Sequence, residues 1–444
     1  MSYIDDFNDN VVSSKIPYDD IPISRNSRRS GGSYNRKSGG FSLSGFKTLV
    51  VLVSLLFVVN VVLFGTLIYY IKHGKVDNIN VYYNEINATQ ESISTIASNT
   101  ALKSAVNIAA GGNCSDEESF YSYTLSKGAG VIHSIDEQNK IIYFVTCYHV
   151  VSEYLNDRIW VLLPTRLVPV RVGVVSYSEH FDIAVLKYNY SESNVQSFLG
   201  GCLPIQTYDS TYLSVGDKVF AVGNPLSNGF SITEGSISKI NTMMTVEQND
   251  FKTREIQTDA PINRGNSGGG LFNASGKFIG LVNSKLSSTG VEGTAYAIPG
   301  NLVLGIAESI IRNNEKGDTL HKKATYLDLG VDLIYDSAIT VSFVEVLYQN
   351  VMKTVRNYTV VVDSINVGSI AKGKLKSGDV IESITIYVYS GDDIVQKTIP
   401  MYNKYIFEDY SFSIVENTTI KINVAGSDEP VEILVNENDL KTID

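Results

Sequence analysis

Between residues 104 and 299 the chain reads as short apolar runs cut by glycine, asparagine and proline. The first group is VNIAA at 106–110, GAGVI at 128–132, IIYFVT at 141–146, RIWVLL at 158–163, VPVRVGVV at 168–175 and DIAVLKY at 182–188. The second is KVFAVG at 218–223, FSITEGSISKI at 230–240, REIQTD at 254–259, FIGLVNS at 278–284 and TAYAIP at 294–299. Runs rich in Val, Ile, Tyr and Phe and bounded by turn residues predict β-strands, and so many in succession predict an all-β sandwich or a pair of barrels. The pattern alone leaves both open. At 301–314 the period changes: Leu302, Ile306, Ile310 and Ile311 share one face, so an amphipathic helix closes the β-rich region. A charged stretch predicts a linker at 316–325. From Tyr326 a smaller α+β unit runs to residue 444, with a helix expected around 403–410.

One apolar run is of a different kind. Residues 48–71 have Asn60 as their only strongly polar interruption, and as a helix these 24 positions (71 − 48 + 1) would extend about 36 Å, enough for a hydrocarbon core of roughly 30 Å. So long an uncharged run rarely stays in water as a core helix. A cleaved signal peptide would want a shorter apolar region followed by a small-x-small site, and Tyr69-Tyr70-Ile71-Lys72 offers neither. Residues 1–47 predict a disordered basic tail, carrying Lys15, Arg25, Arg28, Arg29, Arg36, Lys37 and Lys47, whereas only Lys72 and Lys75 follow closely. The positive-inside bias therefore predicts an uncleaved anchor in the cell membrane, with a cytoplasmic N-terminus and the bulk of the chain outside. Residues 72–103 read as a polar linker in which Ile86, Ile93, Ile96 and Ala97 sketch a short helical stripe.

Charge narrows the partners. The chain holds 36 basic and 47 acidic residues, of which nine and five lie in residues 1–75; the remainder has 27 basic against 42 acidic, a net charge of −15. That balance argues against nucleic acid or anionic lipid as a partner of the exported part. Three cysteines, Cys114, Cys147 and Cys202, show no metal-ligand spacing, and an odd number leaves at least one without an intrachain partner. Cys147, in an apolar strand, reads as a small buried residue.

Candidate chemistry centres on residues 258–270, TDAPINRGNSGGG, a glycine-crowded turn with one serine. Glycines let consecutive backbone amides point at one spot, and a serine hydroxyl becomes a nucleophile when a base takes its proton and such amides hold the oxyanion. By itself the turn could simply end a strand. Upstream, His149 ends an apolar run and Asp182 opens another, where a lone buried carboxylate would be costly without a partner. Of the five histidines only His149 has this setting; His180 precedes the Asp182 strand on an expected surface loop, and Asp259 is a rival acid before the serine. His149, Asp182 and Ser267 then supply base, orienter and nucleophile, in the chain order of chymotrypsin-like proteases.

Six ordered segments resemble the HtrA-type serine proteases: Gly128–Ile132, Thr146–Val151, Asp182–Leu186, Gly216–Pro225 followed by Thr233–Ser238, the serine turn, and Gly293–Pro299. The resemblance runs from about Ser104 to near the C-terminus. It implies a mainly β protein: a chymotrypsin-like double β-barrel protease domain over 104–315 with the triad in the cleft, then a smaller α+β PDZ-like domain over 326–444, preceded by one transmembrane helix. It further implies an oxyanion hole at Gly265, Asn266 and Ser267, trimers held by the protease domains, and no metal or cofactor. Trypsin-like enzymes that cut after Lys or Arg carry an aspartate where this chain has Pro261. A pocket walled by Leu281, Val282, Asn283, Ala295 and Tyr296 therefore predicts cleavage after small or medium apolar residues. Leu329-Gly330-Val331 resembles the PDZ carboxylate-binding loop, which implies binding of C-terminal peptides. Arg264, Gly270, Cys147 and Tyr148 depart from the family's usual residues. The expected activity is extracytoplasmic proteolysis of unfolded or misfolded proteins. A regulatory protease switched on by peptide binding, or a non-catalytic peptide-binding scaffold, are the alternatives.

Overall fold

A computed structural model describes residues 93–443, apart from residues 123, 157, 192–194, 226–228, 246–251, 285–292, 316–322, 337–340, 350 and 391–392. The expected tail at 1–47, the membrane helix at 48–71 and the linker up to residue 92 lie outside the described residues. Among the described residues no helix is long and apolar enough to cross a membrane.

The choice between sandwich and barrels is settled by strand pairing. β1 (Ala105–Ala110), β2 (Ser126–Asp136), β3 (Ile141–Cys147), β4 (Ile159–Leu162), β5 (Val170–Ser178) and β6 (Ile183–Asn189) close a barrel in the order β1-β2-β3-β6-β5-β4. A second barrel closes β7 (Lys218–Gly223), β8 (Ser231–Thr245), β9 (Lys252–Thr258), β10 (Gly270–Asn273), β11 (Phe278–Val282) and β12 (Ala295–Pro299) in the order β10-β11-β12-β9-β8-β7. Closure explains why the runs lack clean alternation: β3 buries every residue from Ile142 to Cys147, and β11 buries all five of its own. Pairing around the ring also removes the exposed edges that a flat sheet would leave.

The expected helix is α2 in chain order, Gly300–Glu315, after α1 (Tyr148–Val151). Its apolar face, with Leu302, Val303, Ile306, Ala307 and Ile310, joins both barrels to Phe412 in one continuous core. Downstream, β13 (Thr325–Leu327) pairs with the final strand β22 (Leu440–Thr442). A six-stranded sheet then runs β14 (Val331–Tyr335), β17 (Val360–Ile365), β18 (Val380–Ser390), β20 (Thr418–Val424) and β21 (Val431–Val435), with β19 (Asp393–Pro400) on β18. The helix expected around 403–410 is α3, Ile406–Ser411.

Sequence reading did not resolve the hairpin of β15 (Ser342–Tyr348) and β16 (Val351–Asn357), which stands apart from the main sheet. It reaches back to the second barrel: Tyr348 stacks on Tyr212 with 4.1 Å between ring centroids, and Lys353 pairs with Asp217 at 2.8 Å. A deeper anchor surrounds Asp209. Its carboxylate accepts from Asn301 (2.7 Å), Lys397 (2.8 Å) and Tyr410 (2.5 Å), so barrel two, α2, β19 and α3 meet at one buried acid. Burial alone would raise the Asp209 pKa; Lys397, Tyr410 and Asn301 outweigh it and hold the carboxyl below its usual range.

Candidate active site

His149 and Asp182 are locked by backbone as well as side chain. β3 ends at Cys147 and the chain turns into the single turn of α1, which carries His149 out of the barrel wall. Asp182 sits just before β6 in the left-handed region, φ 55°, a conformation that aspartate tolerates better than most residues. From there its main-chain carbonyl accepts from the Tyr148 amide (3.0 Å) and its Oδ1 accepts from the His149 amide (2.8 Å). Its Oδ2 lies 2.7 Å from His149 Nδ1, and His149 Nε2 lies 2.9 Å from Ser267 Oγ. An ionised carboxylate only accepts, so Nδ1 carries the ring proton and Nε2 is left as the acceptor facing the serine hydroxyl.

The serine turn is stitched to both barrels. The Ser267 carbonyl accepts from Ala129 (2.8 Å) in the first barrel, while the Gly268 amide donates to Val282 (2.9 Å) in the second. Gly265 (φ 97°) and Gly268 (φ 81°) take conformations that L side chains rarely adopt. A Cβ on Gly268 would collide with Thr146 Oγ1 and the Ala129 carbonyl. Of the three residues expected at the oxyanion hole, Asn266 is a correction: its amide donates to the Asn263 carbonyl at 3.1 Å, because it closes the turn. Among the described residues the amides of Gly265 and Ser267 have no backbone partner, so these two can face a substrate oxygen.

A cavity of about 290 Å³ opens at this point, lined by Ser126, Lys127, His149, Val150, Arg264, Gly265, Ser267 and Ser284. The residues expected to wall the specificity pocket are placed elsewhere. Leu281 and Val282 are fully buried, Leu281 in the core shared with the first barrel and Val282 in the core of the second. The Asn283 amide is bound to the Tyr296 carbonyl (2.9 Å), and Ala295 and Tyr296 are buried in β12. Ser284, which the sequence did not single out, touches Ser267: its hydroxyl contacts Ser267 Oγ and its amide lies 3.3 Å from the same atom. No local pattern announces this contact, which arises from the juxtaposition of two loops. Asp259, the rival acid, accepts from the Ser236 amide at 2.5 Å, and it is Asp182 that contacts the His149 ring. His180 packs edge-on against Phe181. In the C-terminal unit, Leu329 is buried, and Gly330 (φ 65°) donates its amide to Asp328 at 2.7 Å; Val331 begins edge strand β14.

Two buried groups behind the triad carry unusual electrostatics. All three cysteines are free and buried. Desolvation, reinforced by the Asp182 charge, pushes the Cys147 thiol well above its ordinary pKa. Glu255, 1% exposed on β9, is pushed up to about 8 by burial, with Asp182 adding to the rise and a Thr253 hydrogen bond and Arg254 opposing it. It is therefore a neutral acid at physiological pH.

A model described as a trypsin-like peptidase domain matches residues 128–281, a span that contains His149, Asp182 and Ser267. A "Serine protease Do-like HtrA" of Lactococcus lactis subsp. lactis (strain IL1403) is 33% identical over 327 residues, covering 70% of this chain and 71% of that protein. The chain belongs to the HtrA serine proteases. It is a serine endopeptidase with a chymotrypsin-like double barrel. A "Serine protease HtrA-like" of Staphylococcus aureus (strain NCTC 8325 / PS 47) is 32% identical over 264 residues, 58% of this HtrA chain and 32% of the relative. A solved structure described as "HtrA-type protease AlgW with tripeptide" is 24% identical with a TM-score of 0.46, covering 80% of this chain and 98% of its own.

Proposed function

We propose that this HtrA protease cleaves unfolded or misfolded proteins outside the cytoplasm, using His149 as general base, Asp182 as its orienter and Ser267 as nucleophile. The observation that carries the reading is the unbroken line Asp182 Oδ2, His149, Ser267 Oγ, at 2.7 and 2.9 Å, opening on a cavity. As Ser267 attacks a peptide carbonyl, Nε2 takes its proton, and the Gly265 and Ser267 amides receive the developing oxyanion; losing one such donor costs roughly 3 kcal/mol in comparable sites. The imidazolium, steadied by Asp182, then protonates the leaving amine, and water releases the acyl-enzyme. No step calls on a metal or cofactor.

In this reading residues 48–71 anchor the chain, its bulk is extracytoplasmic, trimers form through the protease domains, and the C-terminal unit is PDZ-like. An apolar C-terminal peptide would add as a strand beside β14, which pairs on one side only, with β17. Since Asp328 already takes the Gly330 amide, an incoming carboxylate would have to displace that side chain or use neighbouring amides. One observation favours a regulated rather than constitutive protease. Arg254 on β9 pairs with Asp409 and Glu408 of α3, so a helix of the C-terminal unit is tied to the strand that leads to the serine loop.

The test is proteolysis of an unfolded protein by the chain and by Ser267→Ala, with peptides ending in a free carboxylate or an amide. Hydrolysis by Ser267→Ala at the parent rate would remove the mechanism. Stimulation by acid and amide alike would remove the carboxylate-binding reading, and protection of the Ser267 domain from protease added to intact cells would remove the topology.

A further inference from the structure

Cys147 has no part in the proposed hydrolysis, yet it lies beside the groups that do. Its Sγ, a ring nitrogen of His149 and a carboxylate oxygen of Asp182 all lie within 4.8 Å of one another. The ring nitrogen that already faces the acid is Nδ1, and the thiol's own hydrogen bond is a weak one, to the Val282 carbonyl at 3.3 Å. The three donors come from one end of the first barrel: the last residue of β3, α1, and the residue before β6. The imidazole keeps a path to solvent, with 24% of its side chain exposed.

We propose that this triangle is an inhibitory site for a thiophilic divalent cation of the zinc class, bound by Cys147 Sγ, His149 Nδ1 and Asp182. It rests on the reading of His149 and Asp182 as base and orienter. A sulfur, an imidazole and a carboxylate are the donor types zinc takes, with bonds of about 2.3, 2.0 and 2.1 Å; magnesium and calcium prefer all-oxygen shells. Bonds of that length need donors roughly 3.3–3.7 Å apart. The 2.7 Å His149–Asp182 contact must therefore open and the thiol close in, by shifts of side chains rather than of strands. The protons balance simply. The thiol loses one proton to solvent, and the imidazole proton moves from Nδ1 to Nε2 as Nδ1 takes the cation. Nε2 then bears a hydrogen and cannot accept the Ser267 proton. Inhibition follows from tautomer exchange, without blocking the cavity.

Two measurements on the full chain separate this site from the proteolytic reading. Cobalt(II) titrated into the Ser267→Ala protein should raise a near-ultraviolet thiolate-to-cobalt absorption that zinc abolishes and that Cys147→Ala lacks. Persistence of the band in Cys147→Ala would assign the cation to Cys114 or Cys202 and overturn the proposal, as would absence of any band in the parent. With Ser267 intact, zinc should inhibit casein hydrolysis reversibly by chelator, and magnesium should not. Cys147→Ala should keep its metal-free rate while its half-inhibiting zinc concentration rises about tenfold or more. Equal zinc sensitivity of the two proteins would overturn the proposal. Cys147→Ser, nearly isosteric, replaces Cys147→Ala if circular dichroism shows the alanine variant unfolded. A cobalt band in a chain that hydrolyses nothing would sink the proposed hydrolysis while leaving the cation site standing.

Discussion

Replacing Glu255 by glutamine tests whether a neutral acid is really buried behind the triad. Glu255 is 1% exposed, with the Thr242 hydroxyl across the ladder and the Thr253 hydroxyl on the same face of β9. Burial raises its folded-state pKa from 4.5 to about 8. Between those values the folded protein holds a proton that the unfolded chain has released, so the unfolded state binds fewer protons and stability falls as pH rises. One proton over the 2.5 pH units from 4.5 to 7 amounts to roughly 3 kcal/mol, a large share of the stability of a typical domain. Glutamine stays neutral, fits the same volume, and its amide can donate to either threonine hydroxyl. Glu255→Gln in a Ser267→Ala background, which prevents self-digestion, should therefore be more stable than its parent by roughly 3 kcal/mol at pH 7 and by under about 1 at pH 5. Urea unfolding at pH 5, 6, 7 and 8 measures both curves. The reasoning fails if the two run parallel, because Glu255 would then titrate alike in the folded and unfolded chains.

Three further outcomes follow from the geometry. Gly268→Ala forces a side chain into a left-handed backbone against Thr146 and the Ala129 carbonyl; thermal unfolding should show a loss of at least about 1–3 kcal/mol, and hydrolysis should fall with it. Asp209→Ala leaves the Tyr410 hydroxyl without its acceptor and Lys397 without its counter-charge, at a cost of about 3–5 kcal/mol. Hydrogen exchange should then quicken in β19 and α3 before it does in the barrels, and uniform exchange would refute the anchor. Ser284→Ala removes a hydroxyl in contact with Ser267 Oγ; if Ser267 donates to it rather than to His149, then at about 1 kcal/mol for one such bond kcat/KM should rise up to about fivefold, and a fall would mean that Ser284 donates to Ser267 or assists the substrate.

The local code of this chain lies in its backbone preferences and apolar periods. Runs such as IIYFVT and FIGLVNS read as strands, Leu302 to Ile311 as a helix, and the glycines around Ser267 as a tight turn, which φ near 97° at Gly265 and 81° at Gly268 bears out. His149, Asp182 and Ser267 were legible for the same reason: each stands where an apolar run meets a turn. What the sequence left open depended on residues far apart in the chain. Closure into barrels needed β1 to find β4, and β7 to find β10, pairings that no local pattern specifies. The cavity walls were misread because a strand's apolar residues look alike whether they face a pocket or a core; Leu281 and Val282 pack into cores on the two faces of β11. Asn266 lost its expected place because its amide was needed to close the turn. Ser284 beside the nucleophile, Cys147 beside the acid and Glu255 behind both, and the Asp209 anchor were decided by tertiary structure alone. A side chain's charge state and partners are set by what surrounds it in space, and the order of residues along a strand does not contain that information.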